Sequence, residues 1–147
     1  MHLDNITIKN FRNFDDFTIN FTKEFQTIIG ENNIGKSNLF WAIRLVFDKN
    51  LSYNSRRLQE KDIHRFKHIG FDTNILISIE LKGKNLSSFP NLHTIKSSDE
   101  TVRVTYIYAH RTNFASTIKE YEKAEIKDFQ WKLFGSGKST DFDTIIQ

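Results

Sequence analysis

Gly30-Glu31-Asn32-Asn33-Ile34-Gly35-Lys36-Ser37 fits the pattern G-x-x-x-x-G-K-[ST] and lies between two segments of different period. Upstream, Phe25, Thr27 and Ile29 alternate as a short strand. Downstream, Leu39, Ala42, Ile43 and Val46 recur at i, i+3, i+4 and i+7, which predicts a helix from about Lys36 to Asp48, its apolar face widened by Phe40 and Phe47. A strand, a glycine-bearing loop and a helix in that order give the pattern a mechanism. Gly30 and Gly35 permit turns barred to other residues and a close backbone approach, so consecutive N–H groups converge on phosphate oxygens. The helix start adds unbonded N–H groups and a positive dipole end. Lys36 brings an ammonium to the β- and γ-phosphates, and the Ser37 hydroxyl is a ligand for Mg²⁺. The expected cofactors are therefore ATP and Mg²⁺.

Alternation appears again on both sides of this unit. Ile6, Ile8 and Phe11, then Phe17, Ile19 and Phe21, read as two strands before the loop. Ile75 to Leu81, Val102 to Tyr108 and Ile126 to Leu133 read as three after it, each bounded by Gly, Asn, Ser or Asp. Short connections favour antiparallel pairing. The predicted fold is α/β in the sense of an α+β lobe, with mostly antiparallel strands around the helix that follows the loop. Lys49 to Thr73 shows no clean period and reads as a connector, and Lys82 to Glu100, holding the single Pro90, reads as a loop.

A chain of 147 residues is the size of one domain, and 38% apolar with 27% charged residues is a globular composition. No apolar run approaches the roughly 20 residues that span a bilayer, and Met1 is not followed by a secretory h-region. Cysteine is absent, which excludes disulfide scaffolds, zinc–thiolate sites and thiol nucleophiles, and a cytoplasmic location is expected. The net charge of +3 is unevenly placed, with six Lys or Arg against two acids between Lys49 and His68. Arg56, Arg57, Lys61, Arg65 and Lys67 are accordingly candidates for contact with DNA phosphates, against the alternative of a solvated face.

Several constellations carry less. Gly135-Ser136-Gly137-Lys138-Ser139-Thr140 looks like a second phosphate loop, but Lys132 stands where the first glycine belongs, so a turn is expected. Asp141-Phe142-Asp143 has metal-site spacing, but its polar setting favours a helix start capped by Thr140. His64 and His68 have i, i+4 spacing without a third ligand. Glu80 reads as a surface glutamate of a half-exposed strand, and Trp41 and Trp131 as packing residues.

Taken together with the preceding Ile6-Thr7-Ile8-Lys9-Asn10-Phe11-Arg12-Asn13-Phe14, the loop and its Asn38-Leu39 continuation resemble the opening of ABC-type ATPases of the SMC and RecF group. The resemblance is most specific to the OLD (overcoming lysogenisation defect) family, which includes the Gabija anti-phage nucleases. It continues through Lys61-Asp62-Ile63 and the strand from Asn74 to Leu81. In that family an ATPase head is fused to a C-terminal Toprim nuclease. The resemblance implies that Gly30 to Ser37 bind nucleotide, that Asn38 lies just inside the helix, and that Arg12 approaches the nucleotide. It also implies a second ATPase head, DNA and possible further defence-system subunits as partners, with no membrane. The acidic pair, signature loop and late histidine of a complete head are not recognisable here. The expectation is therefore that residues 1–147 are the N-terminal part of an ABC-type ATPase domain, with no catalytic residue of their own and negligible hydrolysis alone. Two functions fit: a head that controls a DNA nuclease, or a nucleotide-gated DNA-binding module or other ABC-type ATPase without one.

Overall fold

The structure, a computed structural model, describes residues 2–21, 35–64, 68–83, 101–114, 124–135 and 142–146. The expected strand from Phe25 to Ile29 and the loop residues Gly30 to Ile34 lie outside them. β1 (His2–Phe11), β2 (Phe14–Asn20), β3 (Asn74–Lys82), β4 (Thr101–His110) and β5 (Phe129–Gly135) form one antiparallel sheet in the order β2-β1-β3-β4-β5. α1 (Lys36–Phe47) ends within one residue of expectation, and a short α2 (Phe142–Ile146) follows β5. The last strand begins later than predicted, because Ile126–Asp128 turn as a 3₁₀ helix before Phe129. Among the described residues no helix is long and apolar enough to cross a membrane.

Period-2 alternation places one apolar set on the α1 side of the sheet. In register, Ile6 faces Ile79 and Ile8 faces Ile77, while Ile79 faces Val104 and Ile77 faces Tyr106. Against this surface α1 buries Leu39, Ala42, Leu45 and Val46. Full burial of each larger aliphatic side chain contributes roughly 1.5–3 kcal/mol, so the docking of α1 rests on this stripe rather than on helix propensity. Phe40, expected to widen the stripe, is instead 51% exposed, on the helix side turned away from the sheet.

The opposite face departs from the half-exposed pattern expected of β3. Thr7, Ser78 and Thr105 stand side by side across three strands and are buried. The hydroxyls of Ser78 and Thr105 are 2.9 Å apart, and those of Thr7 and Thr18 3.1 Å. Arg103 donates to Ser78 at 2.8 Å and to Glu80 Oε2 at 3.0 Å. Glu80 is thus not a surface glutamate: its side chain is 13% exposed and is held by Arg103 and by the Asn5 amide. Alternation in the sequence identified the outward face correctly, but an outward polar side chain with a cross-strand partner can be buried where an unpaired one cannot. Leu76, Ile107 and Ala109 form a smaller apolar cluster on this face with the α2 residues Phe142, Ile145 and Ile146.

The connector after α1 is fixed despite having no period. Arg56, in the 3₁₀ turn Asn54–Arg56, is 9% exposed and donates to the carbonyls of Leu45 (3.0 Å), Asp48 (2.6 Å) and Leu51 (2.7 Å). This corrects its assignment to a DNA-facing cluster, since three carbonyls at and beyond the helix C-terminus already occupy its guanidinium. The hydroxyls of Tyr106 and Tyr108 in turn donate to the carbonyls of Arg56 (2.5 Å) and Leu58 (3.0 Å). Burial pushes both phenols above their ordinary range, so they remain protonated donors. Trp131 behaves as a packing residue, stacked near Tyr106 and donating its indole N–H to the Tyr53 carbonyl at 2.9 Å. His64 and His68 do not share a helix: His64 is buried where its N–H pairs with the Asn10 carbonyl, and His68 is exposed.

Candidate functional site

α1 begins at the loop that the sequence singled out. Gly35, the residue before its first turn, has φ 93° and ψ 3°, a left-handed conformation that costs other residues roughly 1–2 kcal/mol. Among the described residues no side chain caps this helix end, and its first turn contains no acidic residue. The helix thus presents at this end the positive dipole pole that suits an anion. Lys36 is partly buried, Ser37 is exposed and Asn38 occupies the third helical position.

The β1–β2 turn brings Arg12 to the same end. Its φ is 51°, and that of Asn10 is 59°, so two residues with side chains hold left-handed backbone on either side of Phe11. Such conformations persist only where surrounding contacts fix them. Here they do: the Arg12 N–H donates to the Asp62 carbonyl at 2.7 Å, and Phe11 bridges to Ile63. The Arg12 side chain donates through Nε to Asp62 Oδ1 at 3.0 Å and through Nη1 to Asn38 Oδ1 at 2.7 Å. The Asn38 amide donates to Asn13 Oδ1 at 2.8 Å. Asn13 then lies over Gly35 so closely that an added Cβ would stand 2.3 Å from its amide nitrogen. Asp62, Arg12, Asn38, Asn13 and Gly35 form a continuous polar chain around the start of α1. Trp41 packs beneath it, with the Arg12 guanidinium 5.9 Å from its ring.

Of the residues expected at the nucleotide, the structure brings Arg12, Gly35, Lys36 and Asn38 together, with Ser37 beside them; Gly30 to Ile34 are outside the described residues. The parts of Asp62 and Asn13 were not foreseen. Asp62 lies in a stretch without periodicity, and nothing in sequence separates an aspartate facing an arginine 50 residues away from one facing water. Of the expected DNA-facing cluster, Arg57 and Lys61 are exposed, Arg56 is interior, and Arg65 and Lys67 are outside the described residues. Among the described residues no three His, Asp or Glu converge as a metal site.

Comparisons with known proteins fit this geometry. A segment of 51 residues is 47% identical to the endonuclease GajA of Bacillus cereus, covering 35% of this chain and 9% of that protein. A segment of 111 residues is 29% identical to the DNA replication and repair protein RecF of Oceanobacillus iheyensis, covering 76% of this chain and 28% of that one. The matched stretches are therefore small parts of longer relatives. A chain solved in work on ATP-driven dimerization and DNA-stimulated activation of SMC ATPases superposes over 99% of this chain and 78% of its own length, with TM-score 0.55 and 18% identity. That likeness concerns the fold, which is the lobe of a P-loop ATPase. The sequence profile of the AAA ATPase domain matches residues 1–147 from end to end. With a phosphate-loop lysine opening α1 and an antiparallel sheet behind it, the chain belongs to the AAA ATPase domain family.

Proposed function

We propose that Mg²⁺-ATP binds at the N-terminal end of α1, and that in the whole protein its occupancy governs DNA cleavage by an OLD-type nuclease in anti-phage defence. The observation that carries the nucleotide site is the placement of positive charge. Arg12 and Lys36 both lie at the end of α1 that already holds the positive dipole pole, with no acid in the first turn. Asp62 pairs with Arg12, and an anion at this helix end would add attraction to the dipole pole and to both cations. In this reading Lys36 meets the β- and γ-phosphates of a triphosphate and Ser37 holds Mg²⁺. A γ-phosphate held in this way is a charge that a second head can recognise, so binding would couple to head–head association.

The nuclease part of this reading is supported by the similarity to GajA. A second reading, a nucleotide-gated DNA-binding module without a nuclease, is favoured by the RecF match extending over 76% of the chain against 35% for the endonuclease. Calorimetry tests the nucleotide site directly: Lys36→Ala is expected to weaken Mg²⁺-ATP binding at least tenfold, about 1.4 kcal/mol. Equal affinity would overturn it. Assays of the whole protein on plasmid and phage DNA, with and without ATP, separate the two functions. ATP-dependent cleavage lost in Lys36→Ala supports the nuclease, whereas ATP-dependent binding without cleavage supports the module.

A further inference from the structure

We infer that Asp62 is a positioning residue for the nucleotide site, fixing the guanidinium of Arg12 so that its remaining edge is presented to phosphate. The inference rests on the nucleotide reading above. The Asp62 carboxylate has both oxygens committed: Oδ1 accepts from Arg12 Nε at 3.0 Å, and Oδ2 accepts the Gln59 backbone N–H at 2.8 Å. The second bond belongs to a reciprocal cap that locks the 3₁₀ turn Glu60–Asp62, so the carboxylate has one orientation. The side chain is 8% exposed, against 29% for Arg12. A rigid, buried acceptor therefore holds one edge of a more exposed, flexible donor.

The rest of the guanidinium follows from its planarity. With Nε on Asp62 and Nη1 on Asn38, the plane and rotation of the group are fixed, and Nη2 makes no hydrogen bond among the described residues. That free edge lies beside the first turn of α1, because Asn38 is in that turn. Arginine offers phosphate a planar fork, and a fork already oriented loses less entropy on binding than a free one. Asp62 also belongs to the segment whose Ile63 and His64 pair with the β1 end, and whose Leu58 accepts from Tyr108. The orientation of Arg12 is thereby referred to the centre of the sheet instead of to the exposed turn that carries it.

The test is a double-mutant cycle on the full chain, read by calorimetry with Mg²⁺-ATP, with Lys36→Ala as the control for the site itself. Asp62→Asn keeps the shape but weakens the hold on Nε, and is expected to reduce affinity about fivefold in the wild-type background. In an Arg12→Ala background the same change is expected to have no effect, since the group it orients is gone. A purely structural role for Asp62 would lower affinity equally in both backgrounds, and that result overturns the inference, as does wild-type affinity in Asp62→Asn. If Lys36→Ala binds as the wild type does, the nucleotide reading itself fails, which is a separate outcome. Should Asp62→Asn fail to fold, the ¹⁵N resonance of Arg12 Nε in the unmodified chain decides. Its N–H is expected to exchange slowly with water before ATP is added, and fast exchange in the free chain refutes pre-orientation.

Discussion

The two ends of α1 are each met by an arginine, and the two are used in opposite ways. At the C-terminal end Arg56 is interior, and its Nε, Nη1 and Nη2 all reach carbonyls, those of Leu45, Leu51 and Asp48. Positive charge there complements the negative dipole pole and satisfies carbonyls that the helix itself leaves unbonded. At the N-terminal end Arg12 is three-tenths exposed, lies at the pole of its own sign and keeps one edge free among the described residues. The first arrangement is complete within the fold; the second keeps an edge that the proposed phosphate would occupy. On the proposed function, burial and saturation separate the structural arginine from the binding one, which residue type and local charge do not.

The largest expected effect breaks the closed end. Arg56→Ala leaves several carbonyls without their charged donor and opens space beside Trp131, whose ring lies 5.5 Å from the guanidinium. Urea unfolding is expected to show a loss of about 3 kcal/mol or more, given ~1.5–3 kcal/mol for a hydrogen bond to a charged group. Arg12→Ala is the counterpart: stability should fall by at most about 1 kcal/mol, as for a part-exposed ion pair, while Mg²⁺-ATP affinity drops. If the two variants exchange these signatures, the contrast is wrong.

A smaller effect is expected where the open end is tightest. Gly35→Ala must hold a left-handed φ, at roughly 1–2 kcal/mol, and must displace the Asn13 amide that anchors Asn38. Both unfolding midpoint and nucleotide affinity should therefore fall, with a larger stability loss than in Arg12→Ala and an affinity loss not expected in Arg56→Ala. The smallest effect concerns acid. The Asn50 backbone N–H, with Arg44, holds the Asp48 carboxyl below its ordinary value of 3.8. A carboxylate with a lowered folded pKa contributes stability above the unfolded value and loses it as pH falls through the folded one. The contribution is present at neutral pH and disappears below about pH 4. Comparing acid unfolding of Asp48→Asn with the wild type should show a shallower loss in the variant over that range.

Much of the fold was legible because its signals are local. The stripe of Leu39, Ala42 and Val46 defined α1 to within a residue, the alternations from Ile6, Phe17, Ile75 and Val102 marked four of the five strands, and that from Ile126 overlapped the fifth. The loop pattern located the open end of α1 for the same reason. What was not legible depends on pairing across long sequence separations. Glu80 read as exposed because its partner Arg103 lies on a different strand. Arg56 read as a DNA contact because a charge run carries no sign of the carbonyls waiting for it. The resemblance to known ATPases placed Arg12 near the site, but only the folded chain brings Asp62 and Asn13 to it.

Strand order also bears on the timing of folding. β1 sits between β2, its hairpin partner, and β3, which is reached only after the entire stretch from Phe21 to Thr73. That stretch contains the phosphate loop, α1 and the connector. Closing it costs chain entropy that the local β1–β2 turn does not, and an isolated two-stranded hairpin is marginal in water. A nascent chain that has left the ribosome only as far as residue 73 therefore displays the loop motif with no sheet to hold it. The proposed nucleotide site is therefore expected to form only once β3 has paired with β1, and any stabilisation by ATP would follow that step.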